Sequence, residues 1–222
     1  MATNVLTQNL AEPLGNATAA KIAIDNGDGN LVIDGLTGGE PVLASGTLQY
    51  LEKQGLPTRT LNTSNGRATL QLKASGGGQS WFRFPWHTCN GATEWQIHLN
   101  PKVQFDLTAH SDGGNVRLDL AGMAVTHVAA DTGGGNMDVI LPDTAANLSV
   151  TAKSGAGNVV VHIPGNVAAR IHASTGLGKA IVDPKFSKID KNTYQSSDFD
   201  SAANRVEITI HSGAGNVSVD TK

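Results

Sequence analysis

The 222 residues can form one large domain or two small ones, and with few aromatic (5%) and charged (16%) residues against 26 glycines they suit short strands joined by tight turns rather than a helical bundle. A net charge of −3 leaves no electrostatic footprint for nucleic acid, and a single cysteine, Cys89, excludes an internal disulfide framework.

The first stretch, MATNVLTQNLAEPLGN, lacks the basic and apolar regions of a secretory leader. Residues 1–16 are expected to be a flexible segment ahead of a single repeat-built β domain over 17–222. No apolar run approaches the roughly 18 residues needed to span a bilayer, so direct membrane insertion is not expected. As it stands the sequence reads as cytoplasmic; a piece cut from a longer chain would read as membrane-associated or cell-surface.

From Ile22 to Ile33 apolar and polar residues alternate around a glycine-rich turn, NGDGN (Asn26–Asn30). SGGGQ (Ser75–Gln79) is a degenerate copy. An aromatic stretch follows, with Trp81, Phe82, Phe84, Trp86 and Trp95 close together. It could plug an open end or side of the domain, the preferred reading, or form a sugar-binding or partner-binding surface. In the same stretch His87 and Cys89, with His98, offer three zinc-ligand types. A loop with incidental polar residues is the preferred reading there.

Beyond residue 101 the repeat becomes regular. The turns read SDGGN (111–115), TGGGN (132–136), SGAGN (154–158), TGLGK (175–179) and SGAGN (212–216). Asn115, Asn136, Asn158 and Lys179 are 21 or 22 residues apart, and a polar insertion over 185–203 stretches the last interval to 37. Each turn is flanked by segments of period-two alternation, such as Leu148, Val150, Ala152 before and Val159, Val161, Ile163 after, the pattern of half-buried strands. Pro142, Pro164 and Pro184 end the second strand of three successive repeats.

A tight hairpin at each turn would give an antiparallel meander or sandwich. A wider corner would stack equivalent strands about 4.8 Å apart into a β-solenoid. The near-constant period favours the solenoid, an all-β stack of strand pairs with glycine-rich corners. Its glycines are expected to supply positive φ, and Asn30, Asn115, Asn136, Asn158 and Asn216 to form a structural ladder bonding backbone groups one coil away. A phosphate cradle around Lys179 fits poorly, because AIVDP continues as a strand rather than a helix. Repeat-type calcium turns fit poorly too, because most copies lack the required aspartate. His110 and His211 precede equivalent turns, with Asp131, Lys153 and Ser174 at that place in the coils between, so no shared zinc site is expected.

The run DTGGGNMDVILP, KSGAGNVVVHIP and STGLGKAIVD, the insertion with Tyr194, and ANRVEITIHSGAGNVSV resemble the bacterial toastrack domains. These occur in LiaF-type cell-envelope stress proteins and in adhesin-like and head-GIN groups. AAKIAIDNGDGNLVIDG and TEWQIHLNP extend the resemblance to residues 17–222. It implies a β-helix-like stack, no enzymatic activity and no cofactor. The expected role is a scaffold or protein-interaction module of the envelope-stress or adhesin-like class, whose partner is an envelope-stress sensor or the protein itself. Alternatives are a self-assembling adhesin or filament subunit, or a carbohydrate- or metal-binding β domain. Because the chain stops directly after the strand 216–219, that strand and the coil Ile22–Ile33 are expected to be the open ends of the stack, through which copies could associate.

Overall fold

Period-two alternation punctuated by glycine and proline gives strands almost everywhere in the computed structural model, which describes residues 4–76 and 93–222. In chain order these are β1 (Val5–Pro13), β2 (Ala19–Asp25), β3 (Asn30–Gly35), β4 (Val42–Leu51), β5 (Thr58–Ser64), β6 (Arg67–Lys73) and β7 (Glu94–Leu99). The regular array follows: β8 (Gln104–Ser111), β9 (Val116–Asp119), β10 (Ala124–Thr132), β11 (Met137–Ile140), β12 (Leu148–Ser154) and β13 (Val159–Ile163). Last come β14 (Ala168–Leu177), β15 (Ala180–Val182), β16 (Ser187–Asp190), β17 (Thr193–Gln195), β18 (Arg205–Ala214) and β19 (Val217–Thr221). The helical content among the described residues is one 3-10 turn, Glu52–Gln54.

Two sheets face each other. One runs β1-β4-β7-β3-β9-β11-β13-β19-β15, the other β16-β17-β14-β18-β12-β10-β8-β2-β6-β5. The middle of each sheet is parallel, so each strand pair joined by a glycine corner is one coil of a stack. Antiparallel strands close the ends: β1 and β4 at one end of the first sheet, β5 and the β16–β17 hairpin at the two ends of the second. Inward-facing residues of both sheets merge into one core, from Ile22, Leu31 and Trp95 through Phe105, Leu118, Val139 and Val161 to Ile210 and Val219, all at most 2% exposed. Each such side chain contributes about 1.5–3 kcal/mol on burial, so the coils cohere through a shared interior.

The coils are not stacked in chain order. β18 lies between β12 and β14, and β19 between β13 and β15, so the coil over 205–221 is inserted before the coil over 168–182. The other end shows the same device: β6 and β7 lie outside β2 and β3. The expected open ends are therefore corrected. The strand over 216–219 and the coil Ile22–Ile33 are both interior, because each has a parallel neighbour on either side. The polar insertion over 185–203 supplies the hairpin that covers β14. The expected flexible segment over 1–16 is also corrected, since Val5–Pro13 pairs along its length with β4 and buries Leu10.

Candidate functional site

Five of the six corners begin with a hydroxyl, and the first begins with Asn26. Ser111, Thr132, Ser154 and Ser212 point into the corner and are at most 3% exposed. Each donates to the carbonyl of the fourth-position glycine one coil away: Ser111 Oγ to Gly29 (2.9 Å), Thr132 Oγ1 to Gly114 (2.8 Å), Ser154 Oγ to Gly135 (2.8 Å), Ser212 Oγ to Gly157 (2.7 Å) and, half-buried, Thr175 Oγ1 to Gly215 (2.7 Å). Ser111 and Thr132 also accept the N–H of the glycine three residues on. This inner line satisfies carbonyls that the tight corner would otherwise bury bare. Its sequence signal was the Ser or Thr opening five of the six turns, which reads from sequence as ordinary turn chemistry.

The asparagines form a second line on the outer side of the corner. Asn115 N–H donates to Asn30 Oδ1, Asn136 N–H to Asn115 Oδ1, Asn158 N–H to Asn136 Oδ1 and Asn216 N–H to Asn158 Oδ1, all at 2.9–3.0 Å. Lys179 N–H then donates to Asn216 Oδ1 (3.0 Å). Asn115, Asn136, Asn158 and Asn216 are exposed and Asn30 partly so. The line follows the order of the coils in space, and Lys179, which carries no acceptor oxygen, stands at its last place.

The corner glycines answer to a different need from the one expected. Of them, Gly27 and Gly178 alone have positive φ. At Gly114, Gly135, Gly157 and Gly215 a Cβ would run into the backbone carbonyl of the fourth-position glycine in the neighbouring coil. Close approach of coil to coil, rather than left-handed backbone, excludes a side chain there. At the third position the space is open: nothing lies within 4 Å of a Cβ built on Gly134. Ala156, Leu177 and Ala214 occupy that place in other coils.

On the outer faces, histidines join neighbouring coils through carboxylates. His110 Nδ1 lies 2.6 Å from Asp131 and its Nε2 3.2 Å from Asp112. Burial lowers its pKa, but hydrogen bonds to these carboxylates outweigh burial and raise it above the ordinary 6.5. His162 bridges Asp220 and Asp138, and Asp138 also takes Arg117 (2.6 Å). His98 pairs with Asp34, while His87 and Cys89 lie outside the described residues. Asp131 and Lys153 stand between His110 and His211 in one row across the strands. Among the described residues no group of three or more His, Cys, Asp or Glu is placed to hold a metal ion. His211 Nδ1 is 3.0 Å from Ser174 Oγ, a pair on the outer sheet face with no carboxylate orienting the imidazole among the described residues.

Trp95, counted with the aromatic stretch as an interaction surface, is instead a core residue: it is 1% exposed and its indole N–H donates to Gln49 O (3.0 Å). Trp81, Phe82, Phe84 and Trp86 lie outside the described residues.

Exposed apolar side chains gather elsewhere, at the end of the stack. β15 has a strand neighbour, β19, on one side. Val217 N–H bonds Lys179 O and Asp183 N–H bonds Val219 O, so by the alternation of a parallel ladder Ala180 and Val182 turn their N–H and C=O to the open side. Leu177 is 77% and Ile181 58% exposed along this edge. Asp183, just beyond it, accepts the Thr221 hydroxyl (2.6 Å), which with the Lys185 N–H lowers its pKa. Among the described residues no helix is long and apolar enough to cross a membrane.

Residues 2–162 match the family model described as the N-terminal domain of toast_rack, DUF2154. Among curated proteins none matches the chain. Among solved structures, the fold is similar to that of a "putative cell adhesion protein" from Clostridium sporogenes ATCC 15579, with a TM-score of 0.87 at 22% identity over 99% of this chain and 100% of the other. A "putative adhesin" from Bacteroides fragilis NCTC 9343 aligns over 99% of this chain and 98% of its own at 11% identity, with a TM-score of 0.34.

Proposed function

The chain belongs to the family of the toast_rack N-terminal domain, and from that premise we propose that it is a non-enzymatic interaction module whose stack presents the open sheet edge of β15 to a protein partner. The observation that carries this reading is the edge of β15, with Leu177 and Ile181 exposed beside outward-turned backbone groups. Natural sheets blunt their edges with charge, proline or a covering strand. Here the second sheet ends at this side in the β16–β17 hairpin, whereas β15 carries Ala, Ile and Val and no strand among the described residues covers it. An extended partner segment can add to such an edge through main-chain hydrogen bonds, with side-chain contacts giving selectivity.

The partner class fits the envelope-stress and adhesin-like setting, and the adhesion description of the Clostridium protein agrees with it. The rigidity of a shared core and two bonded corner lines suits a platform that holds one surface in fixed geometry. The test is crosslinking and affinity capture in the native host under envelope stress, comparing the natural chain with the double variant L177K/I181K. Both positions are exposed, so the variant should fold with an unchanged melting temperature. Partners captured by the natural chain and lost by the variant support the reading; equal capture by both overturns it. Light scattering on the purified chain across concentration shows whether the partner is a second copy.

A further inference from the structure

Residues 205–221 fill a slot whose two walls come earlier in the chain. β12 and β13 form one wall, β14 and β15 the other. The walls stand two strand spacings apart, about 9.6 Å, which is the room one coil occupies. Recognition on both sides is complete. β18 pairs with β12 over Leu148–Ser154 and with β14 over Ala168–Leu177. The Ser212 hydroxyl reaches Gly157 O, and the Thr175 hydroxyl reaches Gly215 O. The outer line runs Asn158, Asn216, Lys179. At the mouth of the slot Asn204 donates to Asp143 O (2.9 Å), and its Oδ1 accepts the Ala145 N–H (2.6 Å).

None of these contacts depends on which chain supplies the coil. The segment between β17 and β18, residues 196–204, carries the chain from one side of β14 to the other. Until it does so, the slot leaves four strand edges unpaired, on β12, β13, β14 and β15. An equivalent coil from a neighbouring chain satisfies the same edges.

We propose that this slot is a docking site for residues 205–221 of a second copy of the chain, giving an exchanged dimer in which each last coil completes the partner's stack. At low concentration the tethered coil wins, because its effective concentration is in the millimolar range for a short connection. At high local concentration during folding the exchanged form competes. Once formed it persists, since release breaks two parallel pairings in each sheet. The inference is independent of the proposed partner edge: β15 walls the slot with the edge that pairs β19, and the partner edge is the opposite one.

The test uses the full chain with C89S, which removes the native thiol. Val160 and Ser218 are direct register partners on β13 and β19, both half-buried. A V160C chain and an S218C chain are unfolded together, refolded at increasing concentration, oxidised, and run on a non-reducing gel. Disulfide-linked pairs are expected, increasing about tenfold in fraction for a tenfold rise in concentration while they are the minority form. Mixing the two chains already folded should give none. A chain carrying V160C and S218C together establishes that the pair can bond. If that chain oxidises internally and the refolded mixture gives no linked pairs at any concentration, the proposal is overturned. It is equally overturned if V160C links as readily to T69C, which lies on the opposite sheet and reports random collision.

Discussion

Thr132 and Asn136 sit four positions apart in one corner and do the same kind of work in different solvents. Thr132 is 3% exposed, donates to Gly114 O and accepts the Gly135 N–H. Replacing it with valine keeps the shape and strands both backbone groups away from water, so T132V should cost about 1–3 kcal/mol. Asn136 is exposed, and water can take the Asn158 N–H when its Oδ1 is gone, so N136A should cost less, about 0.5–1.5 kcal/mol. Denaturant midpoints of the two variants rank the lines; a costlier N136A would show that the outer one dominates. His110 adds a pH dependence. Its pKa is raised in the fold, so its contribution is fully present below the ordinary 6.5 and is lost as pH rises through the higher folded value. The natural chain should therefore lose stability relative to H110Q across that window. Parallel curves of melting temperature against pH would show that His110 gains nothing from Asp131 and Asp112.

At the scale of the coil, adjacent glycines separate two demands. Gly135 has the Gly114 carbonyl where its Cβ would go, whereas Gly134 has open space. Pushing backbone apart at one corner strains both flanking strand pairs, so G135A should cost about 3 kcal/mol. G134A should stay within about 0.5 kcal/mol of the natural chain. Urea unfolding distinguishes them, and similar losses in both would mean that turn conformation, not coil spacing, sets the requirement. The prolines fit the same unit: Pro142 and Pro164 directly follow or closely trail β11 and β13, where a ladder N–H is no longer needed.

At the scale of the molecule, the shared core ties the coils together while the edges differ in what covers them. The interior strands β8 to β13 have a neighbour on both sides, and the edge strands β1, β5, β15 and β16 have one. Hydrogen exchange should therefore be slowest in β8 to β13 and fastest in the edge strands β1, β5, β15 and β16, because opening an edge strand breaks one ladder rather than two. Uniform protection along the stack would mean that it opens only as a whole. The asparagine line also accounts for the order of the coils. An interior coil must offer an Oδ1 to the next N–H, and Lys179 has none, so the coil over 168–182 fits the last place.

The sequence by itself determined the coil. Alternation at period two, a turn every 21 or 22 residues and a proline after the second strand are local signals, and a strand pair with a glycine corner is the local structure they dictate. It also pointed to the asparagine positions, because a side chain repeated at one place in every coil meets its equivalent when coils stack. Tertiary structure decided what depends on distant neighbours. Whether a glycine is needed for φ or for closeness is set by the adjoining coil, which is why Gly135 and Gly134 look alike in the sequence and differ in the fold. Val5–Pro13 becomes a strand because β4 offers it a free edge, a partner residing some forty residues away. Trp95 is interior because β4 and β3 flank it. The insertion of residues 205–221 between two earlier coils follows from which open edges remain when the rest of the stack is built, a property of the assembled sheets that no window of the chain contains.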